Sequence, residues 1–283
     1  MKISVSGVDG TGKTSLIDSI QSQFKNQPNR VRAFRVPQYH EDSSIPFADL
    51  SEKMDSLGVF ADRISDPILK VCGLFLSMTL FGDVESHYEK TYQPEYLFFE
   101  RFALADSLTY SKFYKQFITG PLNRTKIEAA VLKELGPDSI ALFEDWIQVL
   151  KSRLPKNSPI DAAAIDFWSL PLFIKSLFEL QPAALIHHLQ ALYQCGFPDH
   201  VILLKVSSTR LMERIAKKAQ GGTQKELHEK QGILEALQGG LEQCNQLLVQ
   251  MNPRIQLHVI DTSQMSIEET AALCFKKVGL KTE

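Results

Sequence analysis

Short apolar runs alternate along this chain with longer stretches of helical period. Residues 3–6 form a first strand, 31–36 alternate as a second that ends at Pro37, and Tyr96, Leu97, Phe98 and Phe99 are apolar on both faces. Residues 201–206 and 256–260 add two more strands. Between them, apolar positions three and four apart predict helices over 15–24, 45–57, 64–80, 103–116, 172–195 with a division at Pro182, 209–219, 226–250 and 267–278. Strands and helices in this alternation predict an α/β fold, a five-stranded parallel sheet flanked by helices on both faces. Ligands of such sheets gather at the carboxyl ends of the strands, where Gly7, Pro37, Glu100, Ser207 and Asp261 fall. The pattern changes over 118–166. There Thr119-Gly120-Pro121 and a Pro155 to Pro159 loop bracket two helices, 126–135 and 139–151, which read as an inserted helical subdomain within a single domain of 283 residues.

The first strand runs into Gly7-Val8-Asp9-Gly10-Thr11-Gly12-Lys13-Thr14, which fits G-x-x-x-x-G-K-[ST]. Its glycines let backbone N–H groups curl around phosphate oxygens, and Ser15 opens a helix whose positive dipole end adds to the site. The expected ligand is a nucleoside triphosphate, and the expected fold is that of a P-loop NTPase. Lys13 can reach the β- and γ-phosphates, and the Thr14 hydroxyl suits Mg²⁺. Asp9 would be repelled by phosphate, so it is expected to turn away from the nucleotide toward a second ligand. A carboxylate directly after an apolar strand beside a phosphate loop is placed to hold magnesium or to take a proton, and Glu100 fills that position. Its bland alternative is an ion pair with Arg101 that closes the strand.

Hydrophobic residues make up 44% of the chain, which provides ample core, and the formal net charge is −2, so no global basic field recruits a nucleic acid polymer. Cys72, Cys195, Cys244 and Cys274 are scattered without a C-x-x-C or metal-ligand spacing, which predicts reduced core thiols and a cytoplasmic setting. The amino-terminal residues do not suit a signal peptide. The longest apolar run, 71–81, is too short to cross a bilayer and is expected to be a buried helix, so no membrane partner is expected. His187, His188 and His200 read as packing or capping residues.

These motifs resemble the thymidylate kinase family and the related deoxynucleoside kinases. The resemblance rests on the loop with its Asp-Gly, on Glu100-Arg101-Phe102 followed by Ala105-Asp106-Ser107, on Pro198-Asp199-His200 with the strand after it and Met212-Glu213-Arg214-Ile215, and on Val259-Ile260-Asp261-Thr262-Ser263. It covers about two thirds of the chain and leaves out 118–166. It implies ATP as donor, Mg²⁺ held by Thr14 and Glu100, and a nucleotide or nucleoside as acceptor. Lys13, Glu100, Arg101 and Arg214 are then the catalytic set. ATP would be held by Gly7, Asp9, Gly10, Thr11, Gly12, Lys13, Thr14, Ser15, Lys217 and Lys218, with Asp261 and Ser263 bordering the adenine. The acceptor would meet Asp9 at its sugar hydroxyl, Arg35, Arg101, and Tyr39 or Phe102 at its base. Both aromatics have core packing as the alternative, and Arg214, Lys217 and Lys218, a candidate lid over 214–232, have a solvated helix face. The helix over 64–80 suits a helix-to-helix homodimer, or ordinary core burial.

Departures from the family pattern divide the expectations. Phe98-Phe99-Glu100-Arg101 is closer to the Phe-Glu-Arg-Ser of deoxynucleoside kinases than to Asp-Arg-Tyr, and Pro37 is followed by Gln38, Tyr39 and His40 where thymidylate kinases carry an arginine. The first expectation is a nucleoside monophosphate kinase that converts dTMP to dTDP. A kinase of unphosphorylated deoxynucleosides stands second. A degenerate nucleotide-binding module whose helices bind a protein partner stands third, and a GTPase is disfavoured because Asn-Lys-x-Asp is missing.

Overall fold

In a computed structural model the structure describes residues 1–161, 165–220 and 231–281. The strands are β1 (Lys2–Ser6), β2 (Val31–Arg35), β3 (Tyr96–Glu100), β4 (His200–Lys205) and β5 (Gln256–Asp261). The helices are α1 (Lys13–Gln23), α2 (Ala48–Arg63), α3 (Pro67–Met78), α4 (Phe81–Tyr92), α5 (Ala103–Tyr114), α6 (Arg124–Leu135), α7 (Ser139–Arg153), α8 (Leu170–Phe178), α9 (Pro182–Tyr193), α10 (Ser208–Gln220), α11 (Gln231–Met251) and α12 (Ile267–Val278). They divide into two compact units. The first comprises Met1–Val36, Ser86–Thr109 and Phe197–Glu283, and the second Pro37–Glu85 and Tyr110–Gly196.

The first unit carries the sheet. All pairings are parallel and the order is β2-β3-β1-β4-β5, so β1 is central. Ile3, Val5, Phe98, Ile202 and Leu204 are buried on one face and Phe99, Val201 and Leu203 on the other, the pattern of a sheet covered on both sides. On one side Leu16, Ile17 and Ile20 of α1 pack with Ala271, Cys274, Phe275 and Val278 of α12, and Phe24 meets Phe275 edge to face at 5.7 Å. Burial raises the Cys274 thiol to about 12, which keeps it protonated. A Ser266–Glu269 capping box starts α12 and Gly279, with φ +73, ends it. Register sets Arg35 beside Glu100, Glu100 beside Val5, and Lys205 beside Asp261, so these residues lie together at the carboxyl end of the strands.

The second unit is helical and contains the stretch 118–166. Its α2 and α3 pack closely: a Cβ on Gly73 would lie 3.1 Å from the Gly58 amide nitrogen. Lys70, buried, and Asp62, half-buried, pair at 2.5 Å across that contact. Asp66 caps α3 by accepting from the Ile68 and Leu69 amides, with Pro67 at the first helical position, which is why the helix expected from residue 64 begins later. Arg153 at the end of α7 ties three chain segments together. It makes two bonds to Asp83 at 2.9 and 3.0 Å, reaches the carbonyls of Thr79 and Leu192, and lies over the Trp146 ring at 4.9 Å. Trp146 Nε1 donates to Thr79 Oγ1 at 2.7 Å.

The apolar pattern does not reveal α4. With it, the nearly continuous helical run Pro67–Tyr92 spans 26 residues and is long and apolar enough to cross a membrane by length and composition, which corrects the shorter estimate from 71–81; 78% of its most apolar stretch is buried inside the protein. Residues 221–230 of the expected lid 214–232, the start of the helix expected over 226–250, and the side chain of Lys218 lie outside the described residues.

Candidate active site

The loop between β1 and α1 is built on backbone geometry that only glycine takes without strain. Gly7 has φ +152, and a Cβ there would lie 2.6 Å from Thr11 Oγ1 and 2.8 Å from the Leu204 carbonyl oxygen. Gly12, with φ +97, occupies the N-cap of α1 and leaves that helix end without a side-chain cap. An uncapped N-terminus of an 11-residue helix presents N–H donors and the positive dipole end, the arrangement that binds phosphate. Thr11 closes the turn by donating from Oγ1 to the Val8 carbonyl at 2.7 Å.

Lys13 lies within this loop, 3% exposed, with Nζ donating to the Val8 carbonyl at 2.8 Å and standing 3.6 Å from Asp9. Burial, followed by the nearby Arg101, holds its ammonium below the ordinary lysine pKa, while Asp9, Glu100 and Asp106 act in the opposite sense. Thr14 Oγ1 donates to Glu100 Oε1 at 3.0 Å. Glu100 is 7% exposed, and its second oxygen, Oε2, is buried with no hydrogen-bond donor among the described residues reaching it. A hydroxyl beside a carboxylate with an orphaned oxygen is a donor set suited to Mg²⁺, a hard cation that takes one or two protein oxygens and completes its shell with water and phosphate. Thr14 and Glu100 are the residues that would hold it.

Arg101 follows β3 with φ +66, an unusual conformation for a residue with a side chain, and its amide donates to the Val5 carbonyl at 2.8 Å. Its neighbour Glu100 is not its ion-pair partner, because successive strand side chains point to opposite faces. The guanidinium is gripped by two other carboxylates, Asp9 at Nη2 and Asp106 at Nη1, the latter at 3.1 Å. Asp9 thus turns toward Arg101. Asp106, in the first turn of α5 and 2% exposed, is the member of the site that sequence reading left out of the functional set. Burial raises its carboxyl above the ordinary value, opposed by Arg101. The available signals were its place in the Ala105-Asp106-Ser107 motif and its position six residues after Glu100 on the helix that leaves β3.

Arg35 is ion-paired with Asp18 of α1 and lies 3.9 Å from Glu100 Oε2. Arg214 of α10 is engaged with the loop: it donates to the carbonyls of Gly10 at 3.3 Å and Thr11 at 3.4 Å, to Thr262 Oγ1 at 3.2 Å and to the Thr262 carbonyl at 2.7 Å. In this conformation it braces the loop through these carbonyls. Lys217 is exposed on α10 and Ser15 is exposed at the start of α1. Asp261 accepts from the amide and hydroxyl of Ser263, which hold its carboxyl below the ordinary range, and Ser263 Oγ accepts from the Ser207 amide at 2.9 Å. That turn joins the ends of β4 and β5. Thr262, buried between them, reaches the Thr11 carbonyl at 3.2 Å and was not anticipated.

Both aromatic candidates for the acceptor base are buried. Phe102 is 1% exposed and packs on Phe99 at 6.0 Å, so its faces are committed to the core. Tyr39, in the helical unit, is 2% exposed. His188 and His200 have the packing roles expected: His188 bonds the Ala184 carbonyl and Ser158, and His200 meets His258 at 3.1 Å.

A glycine loop between a central parallel strand and an uncapped helix, with a carboxylate at the end of the adjacent strand, defines a P-loop α/β nucleotide-binding fold. The chain has low-identity likenesses among solved structures. It is similar to a thymidylate kinase from Candida albicans, at 13% identity and a TM-score of 0.48 over 98% of this chain and 90% of that one. It is also similar to a deoxyadenosine kinase from M. mycoides with bound dATP, at 15% identity and 0.44 over 99% and 100%, and to the same kinase with bound dCTP, at 16% and 0.44 over 99% of each. No family model matches the chain, and no curated protein matches it in sequence. The residues of this chain, rather than these likenesses, carry the assignment of its chemistry.

Proposed function

We propose that this protein is an ATP-dependent phosphotransferase whose acceptor is a nucleoside or a nucleoside monophosphate. The observation that carries the reading is the meeting of Thr14 and Glu100 at 3.0 Å, which sets the phosphate loop and the carboxylate at the end of β3 at one locus. Phosphoryl transfer asks mainly for alignment and for positive charge around the moving group. The loop amides and Lys13 supply both for the donor. Thr14 and Glu100 would hold Mg²⁺, which would supply neutralisation of phosphate charge when bound. Arg101, fixed between Asp9 and Asp106, stands beside Lys13 as the second cation of the site.

A thymidylate kinase-like conversion of dTMP to dTDP is the first acceptor assignment. The second, transfer to the hydroxyl of an unphosphorylated deoxynucleoside, is favoured by one specific feature. Each arginine offered to an acceptor phosphate already faces two carboxylates, Arg101 with Asp9 and Asp106, and Arg35 with Asp18 and Glu100. A neutral hydroxyl meets no repulsion there, and the orphaned Glu100 Oε2 can accept its proton.

Coupled ADP release with Mg²⁺–ATP, run against a panel of nucleosides and a panel of monophosphates, tests both levels. Turnover with dTMP supports the first assignment, and turnover with unphosphorylated nucleosides alone supports the second. ATP binding without transfer to any acceptor overturns the enzymatic reading and leaves a nucleotide-binding module.

A further inference from the structure

We propose that Asp106 is a positioning residue, which fixes the Arg101 guanidinium against Asp9 so that this cation is preset at the phosphate loop before substrate arrives. The inference rests on the kinase reading of the same site. Three observations carry it. First, Arg101 is held at both ends of its fork, Nη2 by Asp9 on the loop and Nη1 by Asp106 on α5, and a planar guanidinium gripped at two points has one orientation. Second, its backbone is equally constrained, with φ +66 and the amide bonded to the Val5 carbonyl of β1, so both main chain and side chain are tied to elements that carry the loop. Third, Asp106 is 2% exposed and its Oδ1 is buried with no hydrogen-bond donor among the described residues reaching it.

The direction of its titration agrees. Burial pushes the Asp106 carboxyl up despite the opposing influence of Arg101 and Lys13, with Asp9 adding to the rise. Its ionised form is therefore less favoured in the folded chain than that of an exposed carboxylate.

The test uses the full chain and the variants Asp106→Asn, Arg101→Ala and the double variant. For Asp106→Asn the expected results are a fall in turnover of roughly 10- to 100-fold, the scale set by misplacing a catalytic group, unchanged Mg²⁺–ADP affinity by calorimetry, and a thermal midpoint at neutral pH that does not fall. In the double variant turnover drops no further than in Arg101→Ala, because Asp106 acts through Arg101. Parallel loss of ADP affinity, midpoint and turnover in Asp106→Asn, or losses that multiply in the double variant, would overturn the proposal. If the wild-type protein transfers phosphate to no acceptor, the kinase reading fails separately, and nitrogen NMR of the Arg101 guanidinium decides this one. Separate, slowly exchanging Nη signals that merge in Asp106→Asn support the positioning role; signals that stay separate refute it.

Discussion

Thr14 Oγ1 and Glu100 Oε1, 86 residues apart in sequence, meet at 3.0 Å. The contact follows from β1 and β3 being neighbours in the sheet, with Val5 opposite Glu100. Glu100→Gln keeps an oxygen for the Thr14 hydroxyl and removes the charge. Phosphoryl transfer is expected to fall by about 10²- to 10⁴-fold with little change in nucleotide affinity. Coupled ADP release and calorimetry measure the two quantities, and near-wild-type turnover would refute the role assigned to Glu100.

Arg214 contributes four hydrogen bonds that join α10 to the loop carbonyls and to Thr262. Replacing it with alanine leaves those carbonyls without their donor and is expected to destabilise the protein by about 1–3 kcal/mol. Nucleotide affinity should weaken with it, since the loop loses its support. Arg214→Lys should recover only part of both, because an ammonium lacks the forked geometry. A variant with wild-type affinity and midpoint contradicts the supporting role.

Asp106 gives the protein a predictable pH signature. Its folded-state carboxyl lies above the ordinary value of 3.8, so the folded state holds that proton more tightly than the unfolded chain. The stability this group contributes is full below 3.8 and is lost as pH rises through the folded value. Asp106→Asn lacks this dependence. Between about pH 3 and about pH 7 its thermal midpoint should therefore gain on the wild type as pH rises. A midpoint difference that stays flat, or moves the other way, counts against it.

The helical unit makes a prediction independent of catalysis. A Cβ on Gly82 would lie 2.2 Å from the Gln194 carbonyl oxygen and 2.4 Å from that of Tyr193, so Gly82→Ala must push the start of α4 off the end of α9. The expected cost is about 3 kcal/mol. Arg153→Ala removes the bond pair to Asp83 and two carbonyl contacts nearby, at about 2–4 kcal/mol. Denaturant unfolding of both variants reads these values directly; a loss under about 0.5 kcal/mol, the level of an ordinary surface substitution, would contradict the packing argument.

Local patterns in the sequence were enough for the five strands, for α1, α8, α9 and α12, and for the phosphate loop, because a buried parallel strand, an amphipathic helix and a glycine turn each leave their signature within a few consecutive residues. Glu100 was legible for the same reason: an acid closing an apolar run beside a phosphate loop is a local fact. α4 was not legible. Phe81–Tyr92 mixes aromatic, charged and small residues around the helix, so no apolar stripe marks it.

What only the tertiary structure decided was pairing. That Arg101 is shared by Asp9 and Asp106, that Arg214 binds the loop carbonyls, that Thr262 is buried against Thr11, and that Phe102 belongs to the core all depend on segments far apart in sequence arriving at one place. Charge and polarity are properties of a residue, whereas desolvation and partnership are properties of its surroundings, and those exist only once the strands have taken the order β2-β3-β1-β4-β5.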